Sequence, residues 1–204
     1  MTQNRPYIIG LTGGIASGKS TLSRALLDMG AHVIDADKIS HELTIVDGAA
    51  LPAIREAFGD RVFTEEALDR RALGDLVFAD AAALDRLNGI MRPLIQAEML
   101  RQIDSLSDQP ALILDVPLLY EAGLDKLCDE VWCAWVPRWQ QLRRLMRRDG
   151  LSLRQALQRV NSQMPGREKA RRANHVINTS GTKAQSAAIA RKLWLSALRR
   201  NPRD

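Results

Sequence analysis

Short apolar runs recur along the chain at wide intervals, at 7–11, 32–36, 111–116, 131–136 and 175–177, and stretches with helical periodicity fill the gaps. Each run is almost continuously apolar, the pattern of a parallel strand buried on both faces. Strands alternating with helices predict an α/β fold, a parallel sheet of five strands covered by helices on both sides. After the first run, Leu22, Ala25, Leu26 and Met29 mark one face of a helix that Gly30 stops.

Residues 38–105 break the alternation. They read as mostly helical with no clear strand. Asp69 and Asp80 are placed to cap helices at 70–79 and 81–92, and Pro93 interrupts the pattern or begins the next helix, which runs to about 104. This is too much helix for a simple crossover, and it predicts an inserted helical subdomain able to form a second-substrate pocket. Further on, a helix at 138–149 is closed by Gly150. Ser152 opens another, with Leu153, Ala156, Leu157 and Val160 as its stripe, and Gln163-Met164-Pro165 breaks it before a short basic segment. A last helix at about 183–199 turns Ile189, Leu193, Trp194, Ala197 and Leu198 to the sheet. The expected organisation is a core of 1–37, 106–137 and 174–204, a helical insert of 38–105 and a basic lid region of 138–173.

The decisive stretch follows the first strand: Gly13-Gly14-Ile15-Ala16-Ser17-Gly18-Lys19-Ser20, the phosphate-binding pattern G-x-x-x-x-G-K-S. Its strand-loop-helix context is the one the pattern needs. Loop amides curl around phosphate oxygens, and the helix N-terminus adds partial positive charge at the same point. Residues 13–19, with Ser20 and Thr21 after them, form the expected ATP site. Lys19 would reach the β- and γ-phosphates and Ser20 would hold Mg²⁺. The dinucleotide pattern G-x-G-x-x-G is absent.

Carboxylates stand at the ends of two other strands. Asp35 and Asp37 close the second run, at the edge where open α/β sheets bind ligands. In an extended chain they share one parity and point the same way; one could accept a proton from an attacking hydroxyl, and Asp37 could equally cap the helix that follows. Asp115 ends the third run like the second acidic residue of phosphate-loop enzymes, which helps hold Mg²⁺. Pro117 cannot extend a central strand, so the chain should turn there and present Tyr120 and Glu121 to a ligand, with at least one of Leu118 and Leu119 in the core. Trp132 and Trp135 read as sheet packing.

Charge narrows the partners. The net charge is +5, yet residues 138–172 alone carry +9 and the remainder −4. Excess confined to one stretch predicts one anionic ligand, not a general affinity for nucleic acid. Arg144 and Arg148 share a helix face, an unfavourable pair unless an anion such as triphosphate lies beside them. Cys128 and Cys133 have no metal-ligand spacing and no disulfide framework, and His32 and His175 sit at strand starts as structural residues. No run approaches the roughly 20 apolar residues of a membrane span, and no secretory signal is visible, so a cytoplasmic protein is expected.

Several stretches together resemble the dephospho-CoA kinase family. They are Leu11 to Ser20, Val33 to Asp37, Asp69 to Leu73, Asp115 to Glu121, and Gln163-Met164-Pro165, in the family's order. The D-A-D and D-V-P-L-L-Y-E runs are far more specific than the glycine loop. The resemblance implies a three-layer phosphate-loop kinase fold and transfer of the γ-phosphoryl of ATP, with Mg²⁺, to the 3′-hydroxyl of dephospho-CoA. It implies Asp37 as the acceptor-side base, Lys19 and Arg144 as stabilisers of the moving phosphoryl, and Arg148 as a further ATP contact. Acceptor contacts would come from Thr12, Asp35, Asp37, Pro117, Leu119, Tyr120 and Glu121, and metal contacts from Ser20 and Asp115. ATP and dephospho-CoA are the expected partners of a monomer or weak homo-oligomer, with no nucleic acid and no membrane. Three positions depart from the family: Ala16 and Asn174, where glycine and aspartate are usual, and Arg92, where histidine is usual. Two rival readings are a kinase for another small alcohol or a nucleoside monophosphate, and a nucleotide switch or nucleic-acid ATPase.

Overall fold

The computed structural model describes residues 5–200. The elements in chain order are β1 (Tyr7–Gly13), α1 (Lys19–Leu27), β2 (His32–Asp35), α2 (Ala36–Glu42), α3 (Leu51–Phe58), β3 (Phe63–Thr64), β4 (Ala67–Leu68), α4 (Arg70–Ala79), α5 (Ala81–Ser105), β5 (Ala111–Asp115), β6 (Glu130–Trp135), α6 (Arg138–Asp149), α7 (Leu153–Asn161), α8 (Gly166–Arg172), β7 (His175–Asn178) and α9 (Lys183–Arg200). They fall into two compact units. Ala36–Gln102 is one; the chain before it and the chain after it make the other.

The larger unit is built on the predicted parallel sheet, in the order β2-β5-β1-β6-β7. β1 is central. Its Leu11 aligns with Asp115 on one side and with Trp132 on the other. Asp35 at the end of β2 aligns with Asp115 at the end of β5, so two carboxylates stand side by side at the carboxyl edge. One face of the sheet packs Ile9, Leu11, Ile113 and Trp132 against Leu22 and Leu26 of α1 and Ala190, Trp194 and Ala197 of α9. Ile189, assigned above to that face, is 42% exposed, because the buried stripe runs through Ser186, Ala190, Trp194 and Ala197. The segment after Pro165, expected as a connection, is helix α8. Asn174 replaces the family's aspartate without loss of geometry: its Oδ1 accepts from Val131 N at 2.7 Å, and its own N–H donates to Val131 O at 2.9 Å.

The smaller unit has its own core, Ile54, Phe58, Val62, Leu73, Val77, Ala83 and Met91. Asp69 caps α4 as predicted, accepting from Arg71 N and Ala72 N at 3.0 Å each. Asp80 accepts from Ala82 N at 2.9 Å. Two expectations fail here. The pair β3 and β4 forms a small antiparallel hairpin that leaves no sequence signal, because Glu65 takes the left-handed turn position at φ 57° where asparagine or glycine is usual. Pro93 neither ends nor begins a helix; it lies inside the 25-residue α5. The residue four before it, where a proline removes a backbone bond, is Gly89, and Met91, Leu94 and Ile95 beside it pack in or against the core.

Candidate active site

β1 ends in Gly13, and α1 begins at Lys19, so the glycine motif is the turn between a central strand and a helix N-terminus. Gly18 has φ +92°, and a Cβ there would come 3.2 Å from Thr179 Cβ. A Cβ on Gly13 would lie 2.8 Å from the Ala134 carbonyl oxygen. Ala16 takes φ 56°, the left-handed region, which explains why glycine is usual at that position. Ser17 is buried, and its hydroxyl has no hydrogen-bond partner among the described residues.

Lys19 Nζ pairs with the buried carboxylate of Asp115, with 15% and 4% of the two side chains exposed. The pair lies where β1 and β5 run side by side, which puts the loop cation and the strand-end acid in one crevice. Beyond it, a cavity of about 300 Å³ is lined by Ala16, Gly18, Ser20, Thr21, Arg144, Arg148, Thr179, Gly181 and Lys183. Arg144 and Arg148 therefore do share a face, and it is turned to the loop. Arg144 donates to the Thr179 carbonyl at 2.6 Å, and Arg148 is held by Asp149 at 2.7 Å.

Ile15 is held on both sides by the basic segment. Its carbonyl accepts from Gln141 Nε2 at 2.8 Å, and its N–H donates to Gln163 Oε1 at 2.9 Å. Both glutamines also line a larger cleft of about 800 Å³ with Trp135, Trp139, Arg138 and Arg167. Trp132 packs in the core as expected, whereas Trp135 opens onto this cleft.

The turn after β5 follows the sequence expectation in two respects. Pro117 ends the strand. Leu119 is fully buried and Leu118 is 44% exposed, so one of the two leucines is in the core, and it is the one that the resemblance places at the acceptor. The reason is Gly10: a Cβ there would meet Leu119 Cδ2 and Cys128 Sγ at 2.8 Å each, so Leu119 fills the hollow that this glycine leaves. Thr12 is also buried, its hydroxyl donating to the Pro117 carbonyl at 3.0 Å. Glu121 pairs with Lys169 at 2.8 Å and accepts from Met164 N at 2.9 Å. Tyr120 has a buried hydroxyl without a partner, its ring lies under Arg172 at 5.6 Å, and burial pushes its pKa up to about 12. The parity argument for Asp35 and Asp37 does not survive, because the strand stops at Asp35 and Asp37 lies in the first turn of α2, on an exposed position.

Sequence reasoning missed Gln141, Thr179 and the burial of Lys169. Glutamine and threonine carry no motif, and a lysine in a seven-residue helix with five charged residues reads as solvated.

Residues 7–185 match the family model for dephospho-CoA kinase. The chain belongs to the dephospho-CoA kinase family. Its members carry out an ATP-dependent phosphorylation, the last step of coenzyme A synthesis, and the chain is accordingly a kinase. A dephospho-CoA kinase of Symbiobacterium thermophilum is 45% identical over 193 residues, covering 93% of this chain and 81% of the relative. One of Geobacter sulfurreducens is 44% identical, covering 92% and 96%. Among solved structures, TT1252 from Thermus thermophilus matches with a TM-score of 0.83 at 32% identity over 94% of this chain and 97% of that one. A dephospho-CoA kinase from Campylobacter jejuni matches with a TM-score of 0.74 at 29% identity, covering 96% and 98%. A shikimate kinase from Acinetobacter baumannii, 20% identical with a TM-score of 0.52, shares the fold. No helix among the described residues is long and apolar enough to cross a membrane.

Proposed function

We propose that this chain moves the γ-phosphoryl of ATP to the ribose 3′-hydroxyl of dephospho-CoA by positioning and charge neutralisation, with roles divided among named residues. The observation that carries the assignment is the glycine loop at a helix N-terminus, with Lys19 on the strand-end acid Asp115 and, next along the helix, Ser20 on the wall of the cavity that Arg144 and Arg148 line. Loop amides and the α1 N-terminus bind the triphosphate. Lys19 exchanges part of its contact with Asp115 for phosphate oxygens, and Arg144, already anchored on Thr179, neutralises charge as it develops. Asp37, two residues beyond the strand-end Asp35, accepts the proton of the attacking hydroxyl.

Among the described residues no cluster of three or more His, Cys, Asp or Glu could hold a metal by itself. Ser20 on the cavity wall and the Asp115 carboxylate are the oxygen donors that suit Mg²⁺ when phosphates and water complete the shell. Bound there, Mg²⁺ would neutralise phosphate charge. On the acceptor side, Asp35, Pro117, Tyr120 and Glu121 remain as the border of the crevice, and Leu119 and Thr12 support it from beneath. We place the enzyme in the cytoplasm as a monomer or weak homo-oligomer.

The test is ADP release with ATP and Mg²⁺ and four acceptors in parallel: dephospho-CoA, adenosine, AMP and shikimate. Turnover with dephospho-CoA alone, yielding coenzyme A by mass, supports the reading; turnover with another acceptor retains the fold and discards the substrate. Asp37→Ala should lower kcat by about 10²–10⁴, the range for a general base, while ATP affinity stays. Unchanged kcat would remove Asp37 from the reaction.

A further inference from the structure

Lys169 is fully buried on α8, although it sits in the most basic stretch of the chain. A buried ammonium is tolerated only with its donors satisfied. Here it donates to the Pro117 carbonyl at 2.6 Å and to the Glu121 carboxylate at 2.8 and 3.1 Å. Glu121 Oε1 also accepts from Met164 N at 2.9 Å. The residue before Met164 is Gln163, whose side-chain oxygen holds the Ile15 N–H of the glycine loop. An unbroken chain of contacts therefore runs from the buried pair, through one peptide, to the loop. Its other end reaches the same loop by a second route, since the Pro117 carbonyl that Lys169 holds also accepts the Thr12 hydroxyl, one residue before Gly13.

A buried ion pair adds little net stability over apolar residues of similar volume, so its retention points to geometry, not to folding energy. The geometry at stake is the Gly14–Ile15 peptide, whose N–H Gln163 holds, immediately before the left-handed Ala16. We infer that Gln163 and the Lys169–Glu121 pair are positioning residues that pre-set this peptide of the phosphate loop for ATP. The inference rests on the reading of that loop as the triphosphate site. A loop held in its binding conformation loses less freedom when ligand arrives, so release of the tether should weaken ATP binding without loosening the fold.

Three variants test it: Gln163→Ala, the double Glu121→Met with Lys169→Met, and the triple. The double removes both charges together, and Gln163→Ala alters only a half-buried side chain, so the test does not depend on one variant folding. ATP affinity is read by titration calorimetry, and stability by thermal melting. Gln163→Ala should raise the Kd for ATP about five- to tenfold with the melting temperature unchanged, and the double should do the same. The triple should fall well short of the product of the two losses, because residues that share a path do not add. A wild-type Kd in Gln163→Ala, or losses that multiply in the triple, would overturn the inference. Absence of ATP binding in the wild-type chain would overturn the loop reading itself, a separate result.

Discussion

Leu119 illustrates how a residue placed at a ligand by sequence can belong to the core. Its side chain fills the hollow over Gly10, where an added Cβ would stand 2.8 Å from Leu119 Cδ2 and 2.8 Å from Cys128 Sγ. Leu119→Ala removes most of a fully buried side chain and should cost about 3 kcal/mol, within the ~2–5 kcal/mol spread for such truncations. For a chain of this length that is a fall of roughly 6–12 °C in Tm. Gly10→Ala alone should cost about 1–3 kcal/mol by overpacking against the same two atoms. The two errors have opposite sign in volume. In the double variant the new methyl occupies space that Leu119 vacated, so the combined loss should fall short of the sum by about 1–2 kcal/mol. Urea melts of the four proteins give the coupling, and initial rates against acceptor concentration show whether the site is touched. Additive losses would refute the packing argument. A Leu119→Ala variant with wild-type stability and a raised acceptor KM would return Leu119 to the substrate.

Other outcomes follow from the same coordinates. Ala16→Gly relieves a left-handed alanine, worth about 1–2 kcal/mol, against about 0.4–1 kcal/mol of added freedom in the unfolded chain; the net is a Tm gain of a few degrees at most, and a fall would show that φ 56° carries no strain. Burial pushes the thiols of Cys128 and Cys133 up to about 12 and about 11, and the Tyr120 hydroxyl to about 12. The folded state thus holds these protons more tightly than the unfolded chain, so stability is intact below about pH 8.5 and declines as pH rises from there towards 12. Melting curves between pH 7 and 11 check this, and Cys128→Ala should flatten the decline. Arg144→Ala should reduce kcat by at least about a hundredfold, as loss of a charge-stabilising arginine does; a change confined to ATP affinity would make Arg144 a binding residue only.

The sheet was legible because buried parallel strands announce themselves as apolar runs, and all five lie within two residues of where periodicity puts them. The phosphate loop was legible because glycine, lysine and serine at fixed spacing have few other uses. What stayed hidden was set by tertiary contact. Whether Leu118 or Leu119 faces inward depends on Gly10, over a hundred residues away in sequence. That Lys169 is buried depends on Glu121 and Pro117, and nothing on its own helix says so. Glu65 and Pro93 broke local rules, giving a hairpin without a usual turn residue and a helix through a proline. The second strand ends at Asp35, so Asp37, read from the sequence as the close of that strand, lies in the first turn of α2.

The sheet order also governs when the fold can be completed during synthesis. The strand that carries the phosphate loop is made first, yet its two neighbours are β5 and β6, which end at Asp115 and Trp135. At 5–20 residues per second, the ribosome needs roughly 6–25 s after finishing β1 to supply both. Until β5 is made, Ile8, Ile9 and Leu11 have no partner strand, and until β6 follows the other edge of β1 stays open. The unit Ala36–Gln102, with its own apolar core, is finished meanwhile. The nucleotide site is thus among the later parts to mature, and a nascent chain stalled before β5 would leave β1 unpaired and open to chaperones or to aggregation.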